Sequence, residues 1–390
     1  MTRTLHLSAT AIREFLHCPN CFRYGYIEGI RPVEDTESQR MGTNWHKLHE
    51  LYRNLLVTVA ADQAFDMVMA TLGELYARVP DGFDAEVWET EYQILANSFA
   101  AYVWYYQNDQ IETLATEVGF KLPLRHPKTN LPLPISEVLV PGKIDQIIRR
   151  EGRIAISDYK STTKSLDADS EFWSKLRLDS QLSTYCLALW DLMAAGKLAE
   201  YGITPEDVIS GAFYDVWHKP QISAKAIPQG ETDALVAEGE QQGVYHGKKF
   251  EIVVTRDADG IVTGVTVDGR PALFETGKTK DKPNKKFSIR ETPAMFGARL
   301  LADIYERPAF YFVRKEIPRT MDDLRAFRRE VYNIYQTIKA MRAGNWWFRN
   351  DQQDSMTSHG SWGKLCYFNV DVSDGHTPEG FKRIFGEEPA

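Results

Sequence analysis

Apolar residues recur at helical spacing in several stretches of the chain. Over 41–52 the stripe is Trp45, Leu48 and Tyr52, and over 321–342 it is Leu324, Phe327, Val331, Ile334, Tyr335 and Ile338. Both predict amphipathic helices with one buried face. A third such helix is predicted over 179–190. Residues 51–115 repeat the helical periodicity and hold Trp88, Tyr92, Phe99 and Tyr102, which reads as a helical insertion whose aromatics serve a core or stack on bases. Short apolar runs bounded by turn residues predict strands at 140–149 and 153–160, joined through Arg150-Glu151-Gly152 as a hairpin. Further strands are predicted at 211–217 and 310–317. A second hairpin, 250–255 with 261–267 around Asp257-Ala258-Asp259-Gly260, lies in a β-rich stretch, 221–290. The result is an α/β chain without internal repeats, read as one domain over 1–390. Its tail after Val370 has turn composition and is expected to be poorly ordered.

Composition narrows the setting. A chain of 390 residues with 43% hydrophobic content can bury a large core, and no run of about 18 apolar residues suggests a membrane span. With no apolar leader at the start, a cytoplasmic protein without membrane contact is expected. The net charge of −8 argues against a protein that coats nucleic acid by bulk positive charge. It leaves room for local basic surfaces. Two stretches could form them: Lys278, Lys280, Lys282, Lys285, Lys286 and Arg290 in a segment punctuated by glycine and proline, read as a mobile loop, and the basic helix 320–343 with Arg325, Arg328, Arg329, Lys339 and Arg342. For the helix, solvated surface charge is the competing explanation.

Candidate chemistry centres on Asp158-Tyr159-Lys160. Lys160 is the only lysine in the chain with an acidic residue two places before it. In an extended segment alternate side chains share a face, so Asp158 and Lys160 point together and Tyr159 points away. The hairpin brings Asp145, of Gly142-Lys143-Ile144-Asp145, alongside Asp158. Two carboxylates in a partly dry site repel each other, and a divalent cation relieves that repulsion while supplying Lewis-acid chemistry for phosphodiester hydrolysis. Lys160 would steer the nucleophile or steady transition-state charge. A surface hairpin with a solvated Asp-Lys pair is the other reading of this segment. On the 41–52 helix, His46 and Glu50 lie one turn apart, where an imidazole can ligate a metal and a carboxylate can orient it from behind. On the 179–190 helix, Gln181 and Tyr185 share a face that could hold a phosphate or a base edge.

In order, Gly42-x-x-x-His46, Gly142-Lys143-Ile144-Asp145, Asp158-x-Lys160 and Gln181-x-x-x-Tyr185 resemble the motifs of the PD-(D/E)XK nuclease superfamily. More narrowly they are similar to its RecB-type branch, which includes CRISPR-associated exonucleases and phage-encoded relatives. The opening 7–24, a serine-capped helix running into Cys18-Pro19 and then Phe22-Arg23-Tyr24, is similar to the start of that branch. The resemblance implies a restriction-endonuclease-like core, a central mixed β-sheet flanked by helices, carrying the helical insertion and a β-hairpin appendage. It implies His46, Asp145, Asp158 and the Tyr159 backbone carbonyl as ligands of Mg2+ or Mn2+, with Lys160, Asp145 and Asp158 catalytic. Gln181 and Tyr185 would position the strand, with Lys278, Lys280, Lys285 and Lys286 as further substrate contacts and Glu50 behind His46. The Gly42 spacing favours His46 over His49. The implied activity is metal-dependent DNA hydrolysis, as an exonuclease acting on a single strand or duplex end in recombination, repair or replication, with a recombination or replication protein as candidate partner. A catalytically silent DNA-binding or regulatory protein on the same fold is the alternative, and a hydrolase of small phosphoesters is a third.

Cysteine usage departs from part of that branch, in which an iron–sulfur cluster is held by one cysteine near the start and three near the end. Here the cysteines are Cys18, Cys21, Cys186 and Cys366; the first two have the Cys-x-x-Cys spacing that can clamp a metal, but Cys186 lies on the apolar face of the Gln181 helix and no further thiol follows Cys366. That spacing argues against a four-thiolate cluster and for plain buried thiols. Four scattered cysteines also fit a reducing compartment better than a disulfide framework.

Overall fold

The computed structural model describes residues 3–33, 37–237, 242–280, 282–350, 362–372 and 375–384. At its centre is a six-stranded mixed sheet built from β1 (Leu5–His6), β2 (Glu112–Pro123), β3 (Val138–Arg150), β4 (Arg153–Thr162), β5 (Ile209–His218) and β6 (Phe312–Ile317). β3 pairs antiparallel with β2 on one edge and with β4 on the other, and its first two residues pair in parallel with β1. β4 and β5 run parallel, and β6 closes the far edge antiparallel to β5. The β3–β4 hairpin turns through Glu151 and Gly152 at φ 50° and 73°. Two consecutive left-handed residues give the turn the twist that antiparallel strands need, and glycine takes the second without penalty.

Ile154, Ala155 and Ile156 are fully buried, as expected of a central strand covered on both faces. One face is covered by α5 (Ser180–Ala194), the crossover helix between the parallel strands β4 and β5, whose Leu182, Cys186 and Leu189 pack against Ile144, Ile156, Tyr214 and Val216. A second core gathers α2 (Glu37–Leu55), α3 (Ala61–Tyr76), α4 (Ala85–Tyr105) and α6 (Pro293–Glu306) around Trp217 and Phe312. The α2 stripe of Met41, Trp45, Leu48 and Tyr52 is buried, and the Trp45 ring stacks on Trp217 at 4.2 Å. Burial of each large side chain contributes about 1.5–3 kcal/mol, which fixes α2 against the sheet and sets the direction of His46. A third core joins α1 (Ala9–His17), capped by Ser8, to α7 (Met321–Gly344) through Ile12, Phe15, Phe327 and Val331.

The architecture is the expected α/β core, a central mixed sheet flanked by helices, and several local expectations are corrected. The helical region gives way at Glu112 to a core strand that the pattern did not predict. Residues 221–290 hold a helix (Gln229–Ala237), a four-stranded antiparallel sheet and a separate hairpin, Phe274–Thr279 with Lys282–Ile289, around their own apolar core. The lysine-rich segment is therefore a paired hairpin, anchored by buried Phe287 and Ile289, rather than a loop. The tail is not loose throughout, since Phe381–Arg383 pairs with Ile30–Pro32. On α7, Arg328 contacts Asp191 and Asn130, Lys339 pairs with Glu137, and Arg342 donates to the Arg3 carbonyl. Much of this helix's charge thus holds the fold together. Among the described residues no helix is long and apolar enough to cross a membrane.

Candidate active site

Antiparallel pairing in the β3–β4 hairpin ends at Gln146 with Ser157, and Asp145 and Asp158 are the next residues on the two strands. The Tyr159 backbone N–H donates to Asp145 Oδ2 at 3.1 Å, tying the two strands together at this point. From α2, His46 Nδ1 lies 3.2 Å from the same Asp145 oxygen. On the other side, Lys160 Nζ lies 2.7 Å from Asp158 Oδ2 and donates to Gln181 Oε1 at 2.7 Å. The Gln181 amide nitrogen donates to Asp158 Oδ1 and to the Tyr185 hydroxyl, each at 3.1 Å. One continuous polar cluster therefore contains His46, Asp145, Asp158, Lys160, Gln181 and Tyr185. Asp158 is sealed, with 1% of its side chain exposed, while His46 shows 34% and Lys160 23%, so the site opens on the histidine and lysine side.

Charge is unevenly divided between the two carboxyls. Burial pushes the Asp158 carboxyl up to about 6, with repulsion from Asp145 adding to it and Lys160 opposing it. Burial pushes Asp145 up as well, but its bond to the His46 imidazole, the His46 and Lys160 charges and the Tyr159 N–H together hold it below the ordinary aspartate value. Burial would lower His46, yet Asp145 and Asp158 raise it above an ordinary histidine. Lys160 is likewise raised by Asp158 and Asp145 against burial, which keeps it charged at neutral pH. The chain thus gathers two carboxyl groups and sets the Lys160 ammonium and the His46 imidazole against them. Such an oxygen and imidazole donor set fits a hard divalent ion, which would take over the balancing role.

The Gln181 helix is aimed by residues that the sequence did not single out. Asp179 caps α5, accepting the Gln181 backbone N–H at 2.7 Å through Oδ1, and its Oδ2 accepts the Tyr214 hydroxyl at 2.7 Å. Lys160 Nζ stands 5.6 Å from the centre of the Tyr214 ring. Behind β4, Tyr159 points away from the cluster as alternation requires, donating to Gln146 Oε1 at 2.9 Å and stacking on His49 at 4.1 Å. His49 is fully buried among Trp45, Phe99, Tyr102 and Tyr159, and burial lowers its pKa well below the ordinary value, so it is a neutral packing residue. Beside Tyr159 in register, Asp215 accepts from Tyr102 and Arg314 at 2.5 and 2.6 Å, which braces the strands from below.

Glu117 was missed altogether. It lies on β2 between the residues paired with Gln146 and Ile144, is ion-paired to Lys143, and its charge repels that of Asp145. Its φ of 52° interrupts the strand's alternation, which is why no pattern revealed it. The charge of Glu50 bears on Glu117 and Lys143. Glu50 therefore lies close enough to the Glu117–Lys143 pair for its charge to be felt there. Lys278, Lys280, Lys285 and Lys286 are exposed on the appendage hairpin and do not join the cluster. The cysteines also differ from plain scattered thiols. Cys186 is in the α5 core, but Cys18, Cys21 and Cys366 meet in one buried group.

A family model described as the PD-(D/E)XK nuclease superfamily matches residues 6–353, a span that includes every member of the polar cluster. No curated protein matches the chain.

Proposed function

The chain belongs to the PD-(D/E)XK nuclease superfamily, and from that premise we propose that it is a divalent-metal-dependent deoxyribonuclease of the RecB-type branch. In this reading it removes nucleotides from DNA ends as an exonuclease during recombination, repair or replication, in a bacterial cell or a phage-infected host. The observation that carries it is the Lys160 ammonium, bonded at once to Asp158 and Gln181 on the rim of a two-carboxylate site that His46 closes.

His46, Asp145 and Asp158, with the Tyr159 carbonyl, would hold Mg2+ or Mn2+. When bound, such an ion neutralises the carboxylates, polarises a phosphate and makes water easier to deprotonate. Any proton on His46 would leave to solvent, because an imidazolium cannot ligate and Asp145 must stay ionised to bind. Lys160, held charged, faces the negative charge that develops on the phosphate oxygens in the transition state. Gln181 fixes that ammonium by accepting from it, and restrains Asp158 through the same amide. Tyr185, whose phenol burial keeps protonated, offers a donor to a phosphate oxygen or a base edge. Lys278, Lys280, Lys285 and Lys286 contact the DNA backbone away from the reacting phosphate. The order of the four motifs supports the RecB-type branch and its end-directed activity.

The test uses DNA labelled at the 5′ or 3′ end, single- and double-stranded, linear and circular, with magnesium or manganese. Progressive loss of linear substrates with circles left intact supports the exonuclease. Nicking of circles replaces it with an endonuclease, and absence of cleavage from all of them leaves the silent DNA-binding protein.

A further inference from the structure

Outside the nuclease cluster, three cysteines from opposite ends of the chain meet. Cys18 ends α1, Cys21 follows in the short helical turn Pro19–Phe22, and Cys366 comes from the turn Gly363–Tyr367 near the other end of the chain. All three are essentially unexposed, at 0%, 0% and 1%. The Cys18 and Cys366 sulfurs are 3.6 Å apart, and all three sulfurs lie within 4.8 Å of one another. The Asn20 side-chain amide stands 3.8 Å from the Cys366 sulfur as a donor to it. Around them is a small apolar cluster of Tyr24, Ile30, Leu365 and Val372. Hydrogen bonds join the same ends: Tyr24 donates to the Val370 carbonyl, the Trp362 indole to the Ile30 carbonyl and Arg383 to the Glu28 carbonyl, and Phe381–Arg383 pairs with Ile30–Pro32.

We propose that Cys18, Cys21 and Cys366 bind one soft, tetrahedral metal ion of the zinc class, which clasps the C-terminal segment to the N-terminal helix. Zinc bound to sulfur at about 2.3 Å in a tetrahedron places its sulfurs roughly 3.8 Å apart, close to the 3.6 Å seen between Cys18 and Cys366. An iron–sulfur cubane requires four thiolates, each on its own iron with the whole cluster between them. Here the sulfurs are too near one another for that, and among the described residues no fourth His, Cys, Asp or Glu joins them. The fourth position falls to water or another donor. On binding, the three thiols release three protons to solvent and no electrons move. Three thiolates select a soft ion over magnesium, so the two metal sites differ in kind. Cys18 and Cys21 lie within the 6–353 span of the superfamily match and Cys366 lies beyond it. A link that closes a loop of this length removes much unfolded-chain entropy.

The full chain, purified under reducing and chelator-free conditions, is analysed for metals by mass spectrometry. Its thiols are titrated in denaturant with and without chelator. About one zinc per chain is expected, as a three-thiolate site implies, with no visible absorption and with three thiols that react only once the zinc is chelated. Cys21→Ser and Cys366→Ser are expected to lose the zinc, while Cys186→Ser and Asp158→Ala keep it. If the serine variants fail to fold, cobalt(II) titration of the metal-free wild type replaces them, and intense thiolate-to-cobalt charge-transfer bands are the expected signal. The proposal is overturned by four freely reacting thiols without bound metal, by two thiols that stay unreactive with chelator as a disulfide, by iron with sulfide and visible colour, or by zinc that leaves with Asp158→Ala. None of these outcomes depends on DNA cleavage.

Discussion

Replacing Lys160 by methionine keeps the length and bulk of the side chain and removes only its charge. In the wild type this ammonium lies 2.7 Å from Asp158 Oδ2 and 2.7 Å from Gln181 Oε1, beside a carboxylate that is 1% exposed. A preorganised donor of this kind is worth about 2.7–4 kcal/mol in a transition state, so the chemical step should slow by roughly 10²–10³. Folding should also suffer. Removing one partner of a buried ion pair costs up to about 3–5 kcal/mol when the remaining charge is stranded. That is an upper bound here, because the Gln181 amide still donates to Asp158 and the carboxyl, already pushed up to about 6, can take a proton. Magnesium should recover much of the loss, since an ion held at a hundred times its Kd stabilises by about 2.7 kcal/mol. Single-turnover cleavage and thermal melts with and without magnesium measure the two effects separately. The account requires a large rate loss together with a magnesium-induced rise in Tm at least as large as the wild type's. A Lys160→Met enzyme that cuts within tenfold of the wild-type rate, or one whose Tm no longer responds to magnesium, would refute it.

Metal affinity should depend on pH in a fixed direction. Asp158, titrating near 6, and His46, raised above the ordinary histidine value, both hold protons on the acid side that a cation must displace, whereas Asp145 is lowered and stays ionised. The apparent Kd for magnesium should therefore rise as pH falls through this range, by up to about tenfold per pH unit for each proton released; calorimetry in buffers of different ionisation enthalpy counts those protons, and none at pH 6 would contradict the assignment. Gln181→Ala removes bonds to Lys160, Asp158 and Tyr185 together. At about 1.5–3 kcal/mol for a hydrogen bond to a charged group, kcat should drop by roughly 10- to 150-fold and Tm should fall as well, because the buried Asp158 and Lys160 each lose a partner, and an unchanged kcat in the folded variant would remove Gln181 from the site. Gly142→Ala would drive a Cβ into the Phe120 ring, which packs edge-on to Tyr185 at 6.0 Å. Overpacking of this kind costs about 1–3 kcal/mol, and a urea midpoint equal to that of the wild type would show that the ring moves aside freely.

The parts of the site that the sequence made legible are those governed by local periodicity. Alternation along 153–160 and the Glu151-Gly152 turn set which carboxylates meet, because register in a tight hairpin follows from the turn. The helical stripe of Trp45, Leu48 and Tyr52 likewise fixed the face on which His46 lies. Illegible features depended on irregular backbone or on distance along the chain. Glu117 sits where a left-handed residue breaks the β2 alternation, and the strand went unpredicted with it. Lysine, glycine and proline made 278–286 read as a loop, although cross-strand pairing and the burial of Phe287 and Ile289 determine its structure. Of the cysteine group only the Cys18-x-x-Cys21 spacing was legible, because Cys366, which joins it, is 348 positions from Cys18. Spacing gave Asp179 and Tyr214 no signal either, since their bond joins a helix cap to a strand 35 residues away.

The central claim is tested most directly by single-turnover cleavage of end-labelled linear DNA, with magnesium supplied or chelated, by the wild type and Asp158→Ala. The account predicts cleavage by the wild type with magnesium and by neither protein without it, and loss of cleavage in the variant while its fold is kept. Cleavage that persists in Asp158→Ala, or that continues after the metal is removed, would contradict it.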